Sequence, residues 1–408
     1  QRQMCIRDRF NCAWNNRGDE SAIRAMIDEL KDIYPDVTFE IFNHQQMLQF
    51  PYSSEEVKLT NVPYFNKKNL LEVPLLLLSR GRRALFSNSK ALIQSVNNAD
   101  LVMHAPGGPS MGDIYKTTQF ASYFKFFTAK LQKKPYMFYA PSMGPFEHPV
   151  QNILRKIIFN HAVFIATREE LSAQYLKKLH LKQDVIVTMD SAIQHPIDIQ
   201  KYEAQFNAYT PLKDFIGKYK KVVGITIAYL TWNPKYKDKP EIESQIKTAF
   251  HQTVEYLTQH QYGVVFIPQL FGESNDYDYL RQFQTDHCFI MDDQHDCYFQ
   301  QYVISKLHMV IGLRYHSNIF SAKMKTPFIS VSYEQKMRGF AQMVGMDNYC
   351  MDVNQLSGEA LISKVQELEA NYDTVKAHLE KENEHIIGES SKTTKLVCNY
   401  INTHIKKA

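Results

Sequence analysis

Short apolar runs alternate with segments of helical periodicity from Phe10 onward, and this alternation constrains the fold more than any other feature of the sequence. Runs rich in β-branched and aromatic residues, such as VVGITIA at 222–228, are typical of strands buried in a parallel sheet. Segments such as 21–34, with apolar residues at three- and four-residue steps, are typical of amphipathic helices. The chain is therefore predicted to have an α/β fold.

The alternation is interrupted between residues 194 and 221, where prolines and a cluster of Lys and Tyr residues replace it. This interruption predicts a junction between two α/β domains, at 10–205 and 206–360. A charged helical tail follows at 361–408. Residues 1–9 (QRQMCIRDR) have neither a starting Met nor a periodic pattern, so they are expected to be non-native sequence outside the fold.

The composition excludes several classes of function. The net charge is only +4 over 408 residues and the lysine pairs are scattered, so no nucleic-acid-binding surface is predicted. The longest aliphatic run covers residues 75–78, far short of the roughly 20 residues of a membrane-spanning helix. The six cysteines are widely separated and form no CxxC pair, which predicts a reducing, cytoplasmic compartment.

Polar residues are concentrated where the predicted strands end. In open parallel sheets, ligands bind beyond the carboxyl ends of the strands, where helix N-termini attract anions. The polar residues at these ends are Asn16, Arg17, Gly18, Asp19, His104 and the loop to Asp113, the turn at 142–145, Arg168, Asp190, Gln269, Arg314, Tyr315, His316, Tyr333 and Lys336. We expect the binding site among them.

The segment IGLRYHSNIF at 311–320 is the sharpest of these signals. Arg314 and His316 leave a buried strand, and Ser317 or Asn318 can cap the helix that follows. Arg offers a bidentate fork to phosphate or carboxylate, and His can donate a hydrogen bond or a proton. The segment therefore predicts an anion site, although an R-x-H triplet can also arise by chance in a chain of this composition.

Three further strand ends each leave two interpretations open. Arg168 is either a second anion contact or a helix-start residue paired with Glu169 or Glu170 on the surface. Asp190 is either a base or a helix cap. The glycine-rich loop that begins at His104 either brings backbone close to a ligand or is a plain turn, since it fits neither the dinucleotide nor the P-loop spacing.

Two patterns are interpreted as packing rather than as sites. His287, Cys288, His295 and Cys297 have the residue types of a zinc site, but Cys288 lies in an apolar strand, where free cysteine is usually a small core residue. No metal is therefore predicted. The aromatic run at 120–127 is expected to pack in the core, with contact to a membrane surface or to carbohydrate as the alternative.

Taken in order, the motifs resemble those of the polysaccharide pyruvyl transferases. Residues 311–346 are similar to the C-terminal signature of that family, in which R-x-H is followed by Y-x-x-K. NNRGDESAI at 15–23 resembles its N-x-G-[DN]-E element. The other blocks that resemble the family are LVMHAPGGPSMGD at 101–113, APSMGPF at 140–146, TREELSAQYL at 167–176 and VTMDSA at 187–192.

The resemblance implies two Rossmann-like domains with parallel sheets that face each other across a cleft, as in GT-B glycosyltransferases. It implies transfer of pyruvate from phosphoenolpyruvate to a pair of sugar hydroxyls as a ketal, in the synthesis of polysaccharide or cell-surface glycan. Phosphoenolpyruvate is then a co-substrate, no other cofactor is required, and the sugar or glycan acceptor could be lipid-linked.

The resemblance also implies roles for individual residues. Expected to be catalytic are His316, Arg314 and Asp190. Expected to bind phosphoenolpyruvate are Arg168, Arg314, His316 and Lys336, because its phosphate and carboxylate need cations at two points. Expected to contact the sugar are Asn16, Asp19, His104, Gly107, Gly108, Gln269 and Tyr333. Two alternatives stay open, a GT-B glycosyltransferase that uses a nucleotide sugar and a non-catalytic carbohydrate-binding relative.

Overall fold

The computed structural model describes residues 2–7, 13–43, 50–61, 65, 67–114, 119–272 and 275–405. The chain divides into two compact units. The first unit comprises residues 1–14, 22–195 and 388–408, and the second comprises residues 15–21 and 196–387. Each unit is built on its own parallel sheet with helices between the strands, so the predicted α/β class is confirmed.

The described part of the first unit contains a seven-stranded sheet and a separate pair of strands. Its strands are β1 (Arg2–Arg7), β2 (Val37–Asn43), β3 (Val57–Asn61), β4 (Leu101–His104), β5 (Gly107–Ser110), β6 (Tyr136–Phe138), β7 (Pro141–Met143), β8 (Ile165–Thr167) and β9 (Val185–Val187). Its helices are α1 (Arg17–Ile33), α2 (Val73–Leu78), α3 (Ser87–Asn98), α4 (Gln119–Leu131), α5 (Pro149–Phe159) and α6 (Glu170–Lys177). The order is β3-β2-β1-β4-β6-β8-β9 with all pairs parallel, and β5 pairs separately with β7.

The second unit contains a six-stranded sheet. Its strands are β10 (Val222–Thr226), β11 (Gly263–Phe266), β12 (Cys288–Ile290), β13 (Met309–Gly312), β14 (Phe328–Ser332) and β15 (Cys350–Asp352). Its helices are α7 (Ile199–Ala208), α8 (Thr210–Gly217), α9 (Pro240–Gln259), α10 (Asp276–Leu280), α11 (Cys297–Ser305), α12 (Tyr315–Lys323), α13 (Gln335–Met343), α14 (Gly358–Ala370) and α15 (Tyr372–Tyr400). The order is β12-β11-β10-β13-β14-β15, again with all pairs parallel.

Apolar side chains cover both faces of the first sheet. On β4, Leu101 and Met103 belong to one hydrophobic cluster and Val102 belongs to another, because successive side chains of a strand point to opposite faces. The aromatic run at 120–127 packs into the second of these clusters through residues such as Phe126, as predicted. Burial on both faces explains why Leu101, Val102 and Met103 of β4 are apolar without alternation.

The division into units differs in three places from the boundaries predicted from the sequence. Residues 196–205 belong to the second unit, where Tyr202 donates a hydrogen bond to Asp296 at 2.9 Å. The end of the tail, residues 388–405, belongs to the first unit, because its apolar side chains join that unit's core. Residues 15–21 belong to the second unit.

Residues 1–9 are predicted from the sequence to lie outside the fold, and this is wrong for Arg2–Arg7. These residues form β1, which pairs in parallel with β2 on one side and with β4 on the other. An interior strand has both of its edges hydrogen-bonded, so it joins the two parts of the sheet. The segment has no apolar periodicity, which is why the sequence pattern could not predict it.

Replacing Cys5 by Pro tests this strand. Proline removes a backbone N–H from the ladder, and its partner carbonyl is left without a donor. We expect Cys5→Pro to lower the free energy of unfolding by about 1–3 kcal/mol or more in chemical denaturation, whereas Cys5→Val keeps the N–H and should retain stability. Equal stability of the two variants would show that residues 2–7 do not form part of the folded sheet.

Candidate functional site

The loop after β13 carries the R-x-H motif in the second unit. Arg314 is the N-cap residue of α12, which begins at Tyr315. The expected cap by Ser317 or Asn318 is wrong. Ser317 Oγ instead donates to the carbonyl of Arg314 at 2.6 Å, and Asn318 Nδ2 donates to Ser330 Oγ at 2.9 Å. These bonds fix the first turn of the helix against the neighbouring strands, and with it both side chains of the motif.

The guanidinium of Arg314 is held by Asp276, the first residue of α10. Nε donates to one carboxylate oxygen at 3.0 Å and Nη2 donates to the other. The two side chains are 12% and 3% exposed. Burial lowers the pKa of Arg314, but the Asp276 carboxylate outweighs this, and the pKa is raised above its ordinary value. Arg314 is therefore a permanent cation, and its Nη1 has no partner among the described residues.

Asp276 also organises the loop after β11. Its Oδ2 accepts the backbone N–H groups of Gln269 and Leu270, both at 3.0 Å. The carbonyl of Gln269 in turn accepts the backbone N–H of Arg17 at 2.8 Å, and Asn16 forms a β-bridge with Leu270. One carboxylate thus connects the R-x-H motif with the N-x-G-D-E segment, which is far away in sequence.

Gly18 lies directly against the ring of His316. A Cβ on Gly18 would be 2.0 Å from Nδ1 of His316, so only glycine fits. Asn16 Oδ1 accepts the backbone N–H groups of Gly18 at 3.0 Å and Asp19 at 3.3 Å, which caps the start of α1. Asp19 also contributes to the raised pKa of Arg314. Asn16 and Asp19, predicted to lie in the N-terminal domain, therefore lie beside the R-x-H motif in the second unit.

The buried side chain of Arg17 helps to position the N-x-G-D-E segment. It is 1% exposed, and its guanidinium forms an ion pair with Glu20 at 2.9 Å and donates to the carbonyl of Asp293 at 2.9 Å. It also lies 4.9 Å from the ring centroid of Phe271. These contacts occupy the guanidinium of Arg17 inside the protein, so we assign Arg17 a structural role beside Gly18.

The other residues predicted in this unit lie around the same loops. Gln269 is buried, and its Nε2 has no partner among the described residues, so it is available as a donor. Lys336 Nζ pairs with Glu334 at 2.6 Å. Tyr333 is buried and close enough to Arg314 to contribute to its raised pKa. The structure thus brings together Gln269, Tyr333 and Arg314.

Arg168 is buried in the first unit, so the alternative that places it on the surface is wrong, although the pairing with Glu169 that it included is present, at 3.5 Å. Its side chain is 1% exposed, with Nη1 donating to Asp190 Oδ2 at 2.5 Å and Nε donating to Ser142 Oγ at 2.8 Å. Asp190 is a helix cap, because its other oxygen accepts the N–H of Ala192 at 3.0 Å. The predicted contact of Arg168 and Arg314 with one ligand stays a prediction.

The glycine-rich loop of the first unit contains the short strand β5, which pairs with β7. The ring of His104 stacks with Phe126 and Phe138, and its Nδ1 lies 2.8 Å from the carbonyl oxygen of Ala105. Gly107 has φ of 148°, a conformation that favours glycine, and it begins β5. Contact of the sugar with His104, Gly107 or Gly108 stays a prediction.

Asp276 is the residue that the sequence analysis missed. It lies in SNDYDYL, where nothing local distinguishes it from Asp278. The cysteines and histidines of the zinc-like pattern lie in packing contacts; His287 Nδ1, for example, is 3.0 Å from the Tyr219 hydroxyl. Over the described ranges, no group of three or more His, Cys, Asp or Glu side chains could hold a metal ion, and no helix is long and apolar enough to cross a membrane.

A family model of polysaccharide pyruvyl transferase matches residues 16–335, which include both the N-x-G-D-E segment and the R-x-H motif. The chain belongs to the polysaccharide pyruvyl transferase family. The resemblance inferred from its motifs is therefore confirmed, and the family indicates a pyruvyltransferase that acts in glycan biosynthesis. The amylovoran biosynthesis protein AmsJ of Erwinia amylovora is 24% identical over 413 residues, which cover 93% of this chain and 95% of AmsJ.

Solved structures with similar folds are GT-B-type enzymes. The UDP-GlcNAc 2-epimerase from Neisseria meningitidis bound to UDP-GlcNAc has a TM-score of 0.60 and is 13% identical in sequence. The match covers 98% of this chain and 100% of the epimerase chain. The sucrose-phosphate synthase from Thermosynechococcus elongatus has a TM-score of 0.57 at 10% identity, with the same coverage of 98% and 100%. These likenesses confirm the predicted GT-B-type fold and concern the fold alone.

Replacing Gly18 by Ala tests the contact with His316. The added methyl group must displace the imidazole, and a misplacement of about 1 Å can cost roughly 10²-fold in rate. We expect Gly18→Ala to lower pyruvyl transfer by about that factor, measured as an initial rate. The control is Gly339→Ala in α13, where a Cβ meets nothing within 4 Å. If both variants are equally active and equally stable to heat, the close approach to His316 has no role in activity.

Proposed function

We propose that this protein transfers the pyruvyl group of phosphoenolpyruvate to two hydroxyls of one glycan acceptor, forming a cyclic ketal and releasing phosphate. The observation that carries the proposal is the arrangement of Arg314, His316 and Gly18 in the second unit. A partly buried guanidinium, fixed by Asp276, lies at the start of the helix whose first turn carries His316, and the backbone of Gly18 lies against the imidazole ring. This combination suits an anion whose reaction requires proton transfer.

The proposed reaction needs two protons to be moved. A proton adds to the methylene carbon of phosphoenolpyruvate, and C2 becomes electrophilic. One acceptor hydroxyl adds to C2 and loses its proton; the bond from C2 to the phosphate oxygen then breaks, and the second hydroxyl adds and loses its proton. One hydroxyl proton accounts for the new methyl group and the other for the released hydrogen phosphate, so atoms and charge balance.

His316 is the residue that we assign to proton transfer. Arg314 Nη1 is assigned to the phosphate, because a charged N–H donor binds an anion more strongly than a neutral one. Lys336 is the further cation that we assign to phosphoenolpyruvate. We assign the Nε2 of Gln269 and the polar groups of Asn16 and Asp19 to the sugar acceptor, whose hydroxyls need hydrogen-bond partners rather than cations.

Arg168 remains the second proposed anion contact, and Asp190 the residue that positions it. Their ion pair is buried, and Ser142 takes a further N–H of the guanidinium. Phosphoenolpyruvate would have to bind an N–H that these partners do not use, or replace one of them. Arg168→Lys keeps the charge for Asp190 but removes the planar fork, so weaker binding in this variant would support direct recognition.

Replacing Arg314 by Lys tests the anion contact without leaving Asp276 unpaired. Removing the charge altogether, as in Arg314→Ala, would leave a buried carboxylate and cost about 3–5 kcal/mol of stability. Arg314→Lys should instead stay folded but lose a charged hydrogen bond of about 1.5–3 kcal/mol, which weakens phosphoenolpyruvate binding by roughly 10- to 100-fold in calorimetry. The control is Arg281→Lys, at an exposed position of the same unit.

Three results would contradict the proposal in different ways. Unchanged binding of phosphoenolpyruvate by Arg314→Lys would leave Arg314 only as the partner of Asp276. Binding of a UDP-sugar by the unaltered protein, with no binding of phosphoenolpyruvate, would favour a nucleotide-sugar glycosyltransferase. Binding of glycan without any phosphate release would favour a non-catalytic carbohydrate-binding protein.

Replacing His316 by Gln separates proton transfer from anion binding. The amide keeps a hydrogen-bond donor but cannot shuttle a proton. We expect phosphoenolpyruvate to bind nearly as tightly, while the rate of phosphate release with a competent acceptor falls by about 10²-fold or more. Equal losses in binding and rate would assign His316 to anion binding alone. A fully active variant would remove it from the reaction.

A further inference from the structure

The segment around α2 exposes an unusual concentration of large apolar side chains. We call them the apolar patch, which consists of Leu70, Leu71, Leu77, Leu78, Leu85 and Phe86. Leu71 is 73% exposed and Leu78 is 87% exposed. Large exposed apolar side chains concentrated in one segment usually mark a place where a protein or a membrane binds.

Basic side chains lie in the same segment. Arg80, Arg82, Arg83 and Lys90 are all exposed, and none of them forms an ion pair with a carboxylate of the described residues. The acidic residue of the sequence between 70 and 94 is Glu72, which is buried. The surface next to the apolar patch is therefore positive.

Three of these basic residues also line a cavity of about 650 Å³. Arg82, Arg83 and Lys90 contribute the charged part of its wall, and three amide side chains contribute much of the rest. A cavity with several N–H donors and no acidic side chain in its lining is suited to a phosphate group.

Buried hydrogen bonds hold the apolar patch in position. The carboxylate of Glu72 accepts the backbone N–H groups of Leu85 at 2.5 Å and Phe86 at 3.1 Å, and it also bonds Asn69 and Ser89. Since ion-dipole bonds of this kind fix the loop to α2, the exposed leucines are a constant part of the surface. Their exposure costs free energy that a bound partner would recover.

We propose that the apolar patch and the adjoining basic residues dock this protein onto the surface of an anionic lipid bilayer. The leucines and Phe86 would enter the boundary between headgroups and acyl chains, while Arg82, Arg83 and Lys90 bind lipid phosphates. Charge complementarity favours this occupant over a second copy of the chain, because two such patches facing each other would bring like charges together. The proposal does not depend on phosphoenolpyruvate as the donor.

Sedimentation of the full chain with vesicles tests the proposal. We expect binding to vesicles of phosphatidylcholine mixed with phosphatidylglycerol, little binding to phosphatidylcholine alone, and weaker binding as salt is raised. Replacing Arg82, Arg83 and Lys90 together by Gln should lower the affinity by roughly 100-fold, at about fivefold for each charge near the surface. Leu71→Ser with Leu78→Ser should lower it by roughly tenfold or more.

Matched controls come from the same unit. Val150→Ser with Ile153→Ser changes two apolar side chains of α5 that are 71% and 64% exposed, and it should leave vesicle binding unchanged. For the charges, the control replaces the exposed Lys177, Lys178 and Lys182 by Gln. Exposed substitutions change stability little, so all variants should unfold at the temperature of the wild type.

Several outcomes would overturn the proposal. Failure of the wild type to bind anionic vesicles would do so directly, and so would equal losses in the matched controls. A dimer in solution that dissociates on Leu71→Ser with Leu78→Ser, without vesicle binding by the wild type, would assign the apolar patch to a second copy of the chain. If the wild type binds anionic vesicles but shows no pyruvyl transfer to a water-soluble acceptor, the proposed function is contradicted and the docking proposal stands.

Discussion

The carboxylate of Asp276 is the interaction on which the candidate site depends. It accepts two bonds from Arg314 and one backbone N–H each from Gln269 and Leu270, so both of its oxygens are occupied by donors. A buried carboxylate or guanidinium without its partner is costly, so each side chain holds the other in place. Through the carbonyl of Gln269 the same carboxylate also positions the backbone at Arg17.

The contact of Gly18 with His316 follows from that network. The β-bridge and backbone bond that join residues 16 and 17 to the loop after β11 bring the first turn of α1 against the imidazole. The sequence predicts both motifs and their strand ends, because periodicity and capping are local signals. It does not predict that they touch, since almost 300 positions separate Gly18 from His316 and no local pattern encodes a long-range approach.

The sequence predicts the interior strands β10, β13 and β14 of the second unit well, because every residue in them is buried and most are apolar. The sequence does not predict a strand that lacks an apolar pattern. The strand β1 has a polar sequence and is recognisable only by its pairing. The junction predicted at 194–221 contains the division at residue 196, but no local sequence pattern predicts the divisions at residues 15 and 22 or the one within α15.

The chain contains two kinds of cation, and they differ in what they can recognise. Arg168 is buried and Arg314 partly buried, each with a carboxylate partner, so they add little net charge and their N–H groups point in fixed directions. In the proposed function, such preorganised donors select an anion by its geometry and need no reorganisation when charge moves during the reaction. Arg82 and Lys90 are exposed and attract by charge, which a Debye length of about 8 Å at physiological salt screens strongly. Salt should therefore weaken attachment to a surface far more than recognition within the second unit, because only the exposed cations depend on long-range attraction.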